Sequence, residues 1–199
     1  MNHTGPKVKL SRRVGIPLTR RAAKSMERRP GAPGMHRSRF SKKVSDYGRQ
    51  LLEKQRLRYQ YNITERKLRN YYLKAASQRG NTAKHLIEML ETRLDAIVFR
   101  AGLAPTIHAA RQLVGHGHIL VNNRRTDIAS FAVQPNQVIT VREKTRNNEM
   151  IKSALQSVED VPYINVDRDN MVVTLTRIPE MEEVPVVCEL SVVVEYYSK

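Results

Sequence analysis

Residues 93–147 read RLDAIVFRAGLAPTIHAARQLVGHGHILVNNRRTDIASFAVQPNQVITVREKTRN, and a change of period inside this stretch decides the fold. In its first half, apolar residues recur at helical spacing. Leu94, Ile97 and Val98 continue a stripe begun by Leu86, Ile87 and Leu90. That spacing predicts one helix from Thr82, its cap, to about Ala101, with Gly102 as the stop. Pro105 and Thr106 start the next helix, which buries Ile107, Ala110 and Val114 and ends at Gly115. From Ile119 the runs become short and β-rich: Ile119–Asn122, Val138–Val141, Tyr163–Val166, Met171–Thr176 and Ser191–Tyr197. Asn122-Asn123, Pro135-Asn136 and Asp169-Asn170 supply turns between them, and another helix fits about Asn148–Ser157. Helices followed by antiparallel strands make an α+β protein.

Upstream, Ser45 reads as an N-cap, with Asp46 complementing the dipole of the helix it opens. As far as Gln60, Tyr47, Leu51, Leu52 and Tyr59 form an inward stripe, while Arg49, Glu53, Arg56 and Gln60 face away. Asn62 can adopt the left-handed conformation that ends a helix, and Thr64 caps a second one carrying Leu68, Tyr71, Tyr72 and Ala75 inward. Before this, Pro6, Pro17, Pro30, Gly31, Pro33 and Gly34 lie among basic residues with few apolar anchors, which predicts extended chain that borrows its order from a partner. The resulting organisation has four parts. An extended basic segment covers 1–44, and a helical lobe covers 45–92, completed by 158–199. A domain with a small antiparallel β-sheet covers 93–153, and C-terminal strands occupy 154–199.

The 199 residues include 35 Lys and Arg against 19 Asp and Glu, a net charge of +16. The excess is uneven. Residues 1–80 hold 22 basic and four acidic groups, whereas 155–199 hold three and nine. A basic half joined to a mildly acidic end implies one region that meets a large polyanion and one that folds or meets proteins. The single cysteine, Cys188, excludes a disulfide framework and a Cys-rich zinc cluster, and fits a reducing cytoplasm. No apolar run approaches the roughly 18 residues of a membrane span, and the basic start lacks the apolar stretch of a secretory signal.

Residues 93–147 closely resemble the small RNA-binding domain named after ribosomal protein S-four. The resemblance extends outward. GPKVKLSRRVG, PGMHRSR and SDYGRQLLEKQRLRYQYNITERKLRNYY are similar to the N-terminal part of the bacterial-type small-subunit ribosomal protein S-four family, and VPYINVD and VVVEYYSK to its C-terminal part. Membership implies a cytoplasmic structural component of the small ribosomal subunit that binds 16S-type rRNA early at a multi-helix junction. It also implies that the protein nucleates assembly of the subunit body, lines the mRNA entrance beside an S-five-type neighbour and influences decoding accuracy. The expected partners are therefore rRNA, neighbouring proteins and mRNA. The protein is expected to be a monomer within the subunit, with no cofactor, metal or membrane. Some members hold zinc through N-terminal cysteines, which this sequence lacks. Many carry Gly at the position of Asn62, and a strand residue that is apolar in most members is Asp127 here.

Folded RNA is gripped through phosphates and 2′-hydroxyls, which calls for Arg and Lys on a rigid surface. The resemblance carries RNA contact over to Arg93, Thr106, Arg111, Gln112, His116 and His118, to which the basic turn Arg124-Arg125 is added. Along the N-terminal segment Lys7, Lys9, Arg12, Arg13, Arg20, Arg21, Arg37, Arg39, Lys42 and Lys43 are expected phosphate contacts, with Arg49 and Arg56 on the helix after it. Two other readings exist. Arg93-Leu94-Asp95 spells the catalytic motif of pseudouridine synthases, which carry the same small domain, but no Thr-Ser-Gly follows and too little chain remains for a catalytic domain. A free ribosome-associated factor with this domain is the alternative, though such chains lack the basic N-terminal region.

Overall fold

Two short helices stand near the N-terminus where extended chain was expected. The computed structural model describes residues 5–34, 45–156 and 161–198, and contacts divide the chain into two units, Met1–Ala83 with Val186–Lys199, and Lys84–Pro185. In the first unit, α1 (Lys7–Val14) ends at Gly15, whose φ of +76° supplies the left-handed stop. Then α2 (Arg20–Arg28) is capped by Thr19, whose Oγ1 accepts from the Ala22 amide at 3.2 Å. Leu10, Val14, Ile16 and Ala22 are buried, so a few well-spaced apolar anchors suffice here. Arg12 donates to the carbonyls of Gly31 and Ala32 at 3.1 and 3.2 Å, fastening the chain that leaves α2.

Next come α3 (Asp46–Gln60) and α4 (Glu65–Ala76), capped by Ser45 and Thr64 as expected. Asn62 takes φ +47° between them. The rotation of α3 differs from the expected stripe. Tyr47 is 62% exposed, whereas Gln50, Glu53, Lys54 and Leu57 are buried. Polar residues face inward because polar backbone and side-chain groups from the end of the chain meet them, as described below.

The second unit takes in all but the first two residues of α5 (Thr82–Glu91), followed by α6 (Leu94–Arg100) and α7 (Ile107–Gly115). The continuous helix expected over Thr82–Ala101 is broken at Arg93, whose ψ of 141° is extended. Residues 129–133 occupy the break. The Leu94 amide donates to Phe131 O at 2.9 Å, Asp95 to Ala129 O at 3.2 Å, and Val133 to Thr92 O at 2.8 Å. Inside it, Arg93 donates to both carboxylate oxygens of Asp95, at 2.9 and 2.6 Å, with side chains 1% and 0% exposed.

Five strands follow in the spatial order β2-β1-β3-β5-β4, every pair antiparallel: β1 (Ile119–Val121), β2 (Arg124–Arg125), β3 (Val138–Val141), β4 (Ile164–Asp167) and β5 (Val172–Leu175). Asn122 and Asn123, at φ +48° and +63°, make the tight turn between β1 and β2. Helices α8 (Glu143–Arg146) and α9 (Glu149–Leu155) lie between β3 and β4 in sequence. The register places Val121, Ile139, Val173 and Val166 on one face, packed with Leu94, Ile97, Val98, Val114 and Ile151 in a single apolar core. Asp127 is exposed in a loop after β2 and occupies no strand, so its charge meets water.

The last expected strand, Ser191–Tyr197, is a helix, α10 (Leu190–Ser198), and the C-terminal strands therefore end at β5. Its β-branched valines point to a strand, yet Val192, Val193, Tyr196 and Tyr197 follow helical spacing, and both valines are buried. This helix packs on α3 within the first unit. Val187 N–H donates to Gln60 Oε1 at 3.0 Å, Gln60 Nε2 donates back to Val187 O at 3.2 Å, and Glu189 N–H donates to Glu53 at 3.0 Å. Tyr197 stacks on Tyr72 with centroids 5.0 Å apart and donates to Glu65 at 2.6 Å, while Lys54 meets the same carboxylate at 2.9 Å. The lobe is thus completed by 186–198, whereas β4 and β5, expected in the C-terminal addition to it, belong to the sheet of the second unit.

Burial pushes the Glu65 carboxyl up, but the Tyr197 hydroxyl, Lys54 and Arg58 together hold it below the ordinary range. Its folded pKa is depressed, so its contribution is present above the unfolded value near 4.3 and is lost as pH falls through the folded one. Chemical denaturation from pH 6 to pH 3 should therefore show a shallower acid loss for Glu65→Gln than for the parent; parallel profiles would show that Glu65 is not linked. Separately, Asp95→Ala strands a buried guanidinium and should cost about 3–5 kcal/mol in urea unfolding. A loss under 1 kcal/mol would mean the pair is dispensable.

Candidate nucleic-acid interface

Three elements of the second unit converge on a short loop after α7. His116 closes the helix by donating its amide to Gln112 O at 2.9 Å, Gly117 takes φ +70°, and His118 leads into β1. The His116 and His118 rings lie with centroids 6.0 Å apart. His118 Nδ1 is 2.9 Å from Thr145 Oγ1 of α8, and His118 O accepts the Arg142 amide at 2.9 Å. From β2, the Arg125 guanidinium lies over Gly117 so closely that an added Cβ would sit 2.2 Å from its Nε. The missing side chain at residue 117 is what lets Arg125 cross the loop beside the two histidines.

Gln112, one turn before His116, is exposed on the same face of α7. Arg124 is exposed at the tip of the hairpin. Arg142 and Lys144 are also exposed, and the bond from Arg142 to His118 ties their turn to the patch. Sequence reasoning passed over these two, although they stand in the quoted VREKTR run; only the pairing of β3 with β1 brings them to the loop. Arg146 instead donates its Nε to Val141 O at 3.2 Å.

The other candidates lie elsewhere. Thr106 caps α7, its Oγ1 accepting from Ala109 at 3.2 Å, about ten residues and 15 Å along the helix from His116. Arg93 is a correction: its guanidinium is enclosed with Asp95 and presents nothing to a phosphate. Arg111 is half-buried, with Nη1 3.6 Å from the Asp95 carboxylate, and so stands between the buried pair and the surface. The Arg93-Leu94-Asp95 triplet is accordingly a structural ion pair in this chain.

In the first unit, Lys9 and Arg13 are exposed on α1 and line a groove of about 410 Å³ with Pro6, Leu10, Ala32 and Pro33. Lys7 is half-buried, and burial lowers its pKa. Arg20, Arg21 and Arg49 are exposed. Arg12 and Arg56 differ from the expectation. Arg12 clamps Gly31 and Ala32, and Arg56 donates to Val14 O at 2.9 Å while pairing with Glu53. Arg37, Arg39, Lys42 and Lys43 fall outside the described residues. Among the described residues no three His, Cys, Asp or Glu form a metal-ligand group, and no described helix is long and apolar enough to cross a membrane.

A helix pair and a small antiparallel sheet carrying exposed cations and imidazoles around one loop define a domain suited to anionic ligands. Residues 92–139 match the S4 domain, and residues 2–91 match the Ribosomal protein S4/S9 N-terminal domain. "Small ribosomal subunit protein uS4" of Halalkalibacterium halodurans is 46% identical over 198 residues, covering 99% of this chain and 98% of that protein. The proteins of the same name from Staphylococcus haemolyticus and Chlorobaculum tepidum are each 46% identical, over 196 and 198 residues, covering 98% of both chains in each case. The chain belongs to the uS4 family.

Gly117→Ala should displace Arg125 and add backbone strain of about 1–2 kcal/mol, because L-residues disfavour this φ. The check is a crystal structure of the variant with its urea midpoint; an unmoved Arg125 with unchanged stability would show that the close approach is not required.

Proposed function

We propose that the chain is a structural constituent of the small ribosomal subunit and binds the subunit's rRNA. The observation that carries this reading is the convergence of Arg125, exposed His116 and half-buried His118, with exposed Arg142 and Lys144 beside them, on one loop. Arg forks engage phosphate oxygens through two bonds, Lys supplies point charge, and imidazole nitrogens exchange hydrogen bonds with phosphates or 2′-hydroxyls. None of these groups reads base sequence deep in an A-form groove, so recognition is of the shape of folded RNA. Thr145 holds the Nδ1 side of the His118 ring and thereby directs Nε2 away from α8.

The finer reading rests on family membership. Binding is early and at a multi-helix junction of the 5′ domain, it nucleates assembly of the subunit body, and the protein lines the mRNA entrance beside an S-five-type neighbour, where it influences accuracy. The rRNA contacts comprise the loop patch, Gln112, Arg111 and Arg124, with Lys7, Lys9, Arg13, Arg20, Arg21 and Arg49 from the first unit. Catalysis and cofactors have no part in it, and the setting is the cytoplasmic ribosome.

The test is a salt titration of binding to a 5′-domain rRNA fragment, beside an unrelated RNA of equal length. Tight, selective binding with a steep salt slope is expected; equal affinity for both RNAs at every salt would falsify the rRNA assignment. Arg125→Ala should cost about 1–3 kcal/mol of that binding and reduce the slope by about one. Unaltered affinity would place the loop patch off the interface.

A further inference from the structure

Glu53 is a buried carboxylate shared by separate parts of the first unit. The residue is 5% exposed, and it accepts from two sides. One donor is Arg56 Nη1, at 2.5 Å on the same helix; the other is the Glu189 amide, at 3.0 Å from the end of the chain. Arg56 turns its remaining donors toward the N-terminal helices. Its Nε donates to Val14 O at 2.9 Å, and its Nη2 lies 3.4 Å from where a Cβ on Gly15 would stand. Val14 O is the last carbonyl of α1, one that the helix itself leaves unbonded, so the guanidinium satisfies it and complements the negative end of the dipole. With eight residues, α1 is too short to hold together without such outside contacts.

The strength of this series of bonds depends on the segment that covers it. Val187 exchanges two hydrogen bonds with Gln60, and next to it Cys188 is half-buried. Burial, and then the charge of Glu53, push the Cys188 thiol up to about 12, so it stays neutral and brings no second anion to the carboxylate. A covered carboxylate–guanidinium pair attracts strongly, whereas one open to water is screened and contributes little. With residues 187–189 seated, Glu53 fixes one arm of the rigid Arg56 fork, and fixing one arm aims the others at Val14 and Gly15. With them lifted, Glu53 loses a donor and its cover together, and Arg56 is released from the pose that reaches α1.

We infer that residues 186–198 are a latch on the N-terminal helices, the seating of Val187 and Glu189 on α3 being transmitted through Glu53 and Arg56 to the end of α1. Helix α2 follows, because Arg12 of α1 holds the carbonyls of Gly31 and Ala32 beyond it. The coupling is reciprocal, so loosening α1 must loosen the C-terminal segment by the same free energy. Its consequence for RNA rests on the rRNA reading above, which puts Lys9 and Arg13 of α1 at the interface.

The test is amide hydrogen exchange on the full-length protein, free of RNA, in Gln60→Leu, Arg56→Gln and the double variant. Gln60→Leu removes both bonds to Val187 and leaves the side chains of Glu53 and Arg56 as they are. Exchange across Leu10–Gly15 should then speed up about three- to tenfold, the protection that one hydrogen bond confers. Arg56→Gln should in return speed exchange across α10. In the double variant Leu10–Gly15 should exchange no faster than in Arg56→Gln alone, because the relay is already cut. Parent-rate exchange at either far end, Leu10–Gly15 in Gln60→Leu or α10 in Arg56→Gln, overturns the latch. So does a double variant faster than Arg56→Gln, which would mark general loosening of the first unit. With no RNA present, these outcomes stand apart from the rRNA reading, which the salt titration decides.

Discussion

The second unit depends on the enclosure of Arg93 with Asp95. A fully buried carboxylate and a fully buried guanidinium are each costly to remove from water, and the two hydrogen bonds between them and their mutual attraction offset that cost. The pair forms where the chain leaves helical geometry at Arg93, so that residues 129–133 can bond into the break. This fixes where α6 starts and, through the shared core, where α7 lies. The loop that gathers His116, His118 and Arg125 is the far end of that helix. Arg111 draws on the same carboxylate from outside, linking the buried charge to the surface.

Arginines in this chain divide by what their donors reach. Arg12, Arg56, Arg93 and Arg100 spend theirs inside the protein, on the carbonyls of Gly31, Ala32 and Val14 and on the carboxylates of Asp95 and Glu91. Arg20, Arg21, Arg28, Arg124 and Arg142 remain exposed. A count of positive charge does not make this division. The five rigid donors of a guanidinium fit it both to bind several carbonyls and to grip a phosphate, and only the surroundings select between the two uses.

Much of the fold was legible in the sequence because the relevant signals are local. The caps Ser45, Thr64 and Thr106, the Asn122-Asn123 turn and the period change after Gly115 each act within a few residues. The misreadings share a cause, which is contact between distant segments. Nothing within reach of Arg93 announces that residues 129–133 will interrupt its helix. The spacing in α3 points Tyr47, Leu51, Leu52 and Tyr59 inward, but Glu53 and Gln60 are claimed by residues more than 120 positions away. Valines at 192–194 carry strand propensity, which packing of α10 overrides. For the interface, the histidines and the Arg124-Arg125 turn could be found from the motif that surrounds them. Arg142 and Lys144 could not, because they reach the loop through strand pairing.

The first unit is assembled from both ends of the chain. Its core and its polar seam on α3 are closed by Val187, Glu189 and α10, which follow the second unit in the sequence. During synthesis the strands of the second unit are therefore made before the residues that close the first unit, so the N-terminal unit cannot close as it is made. For that interval the cationic α1 and α2 have emerged on a lobe lacking its final helix. Translation itself thus sets a delay between the exposure of the N-terminal charge and the completion of the scaffold that carries it.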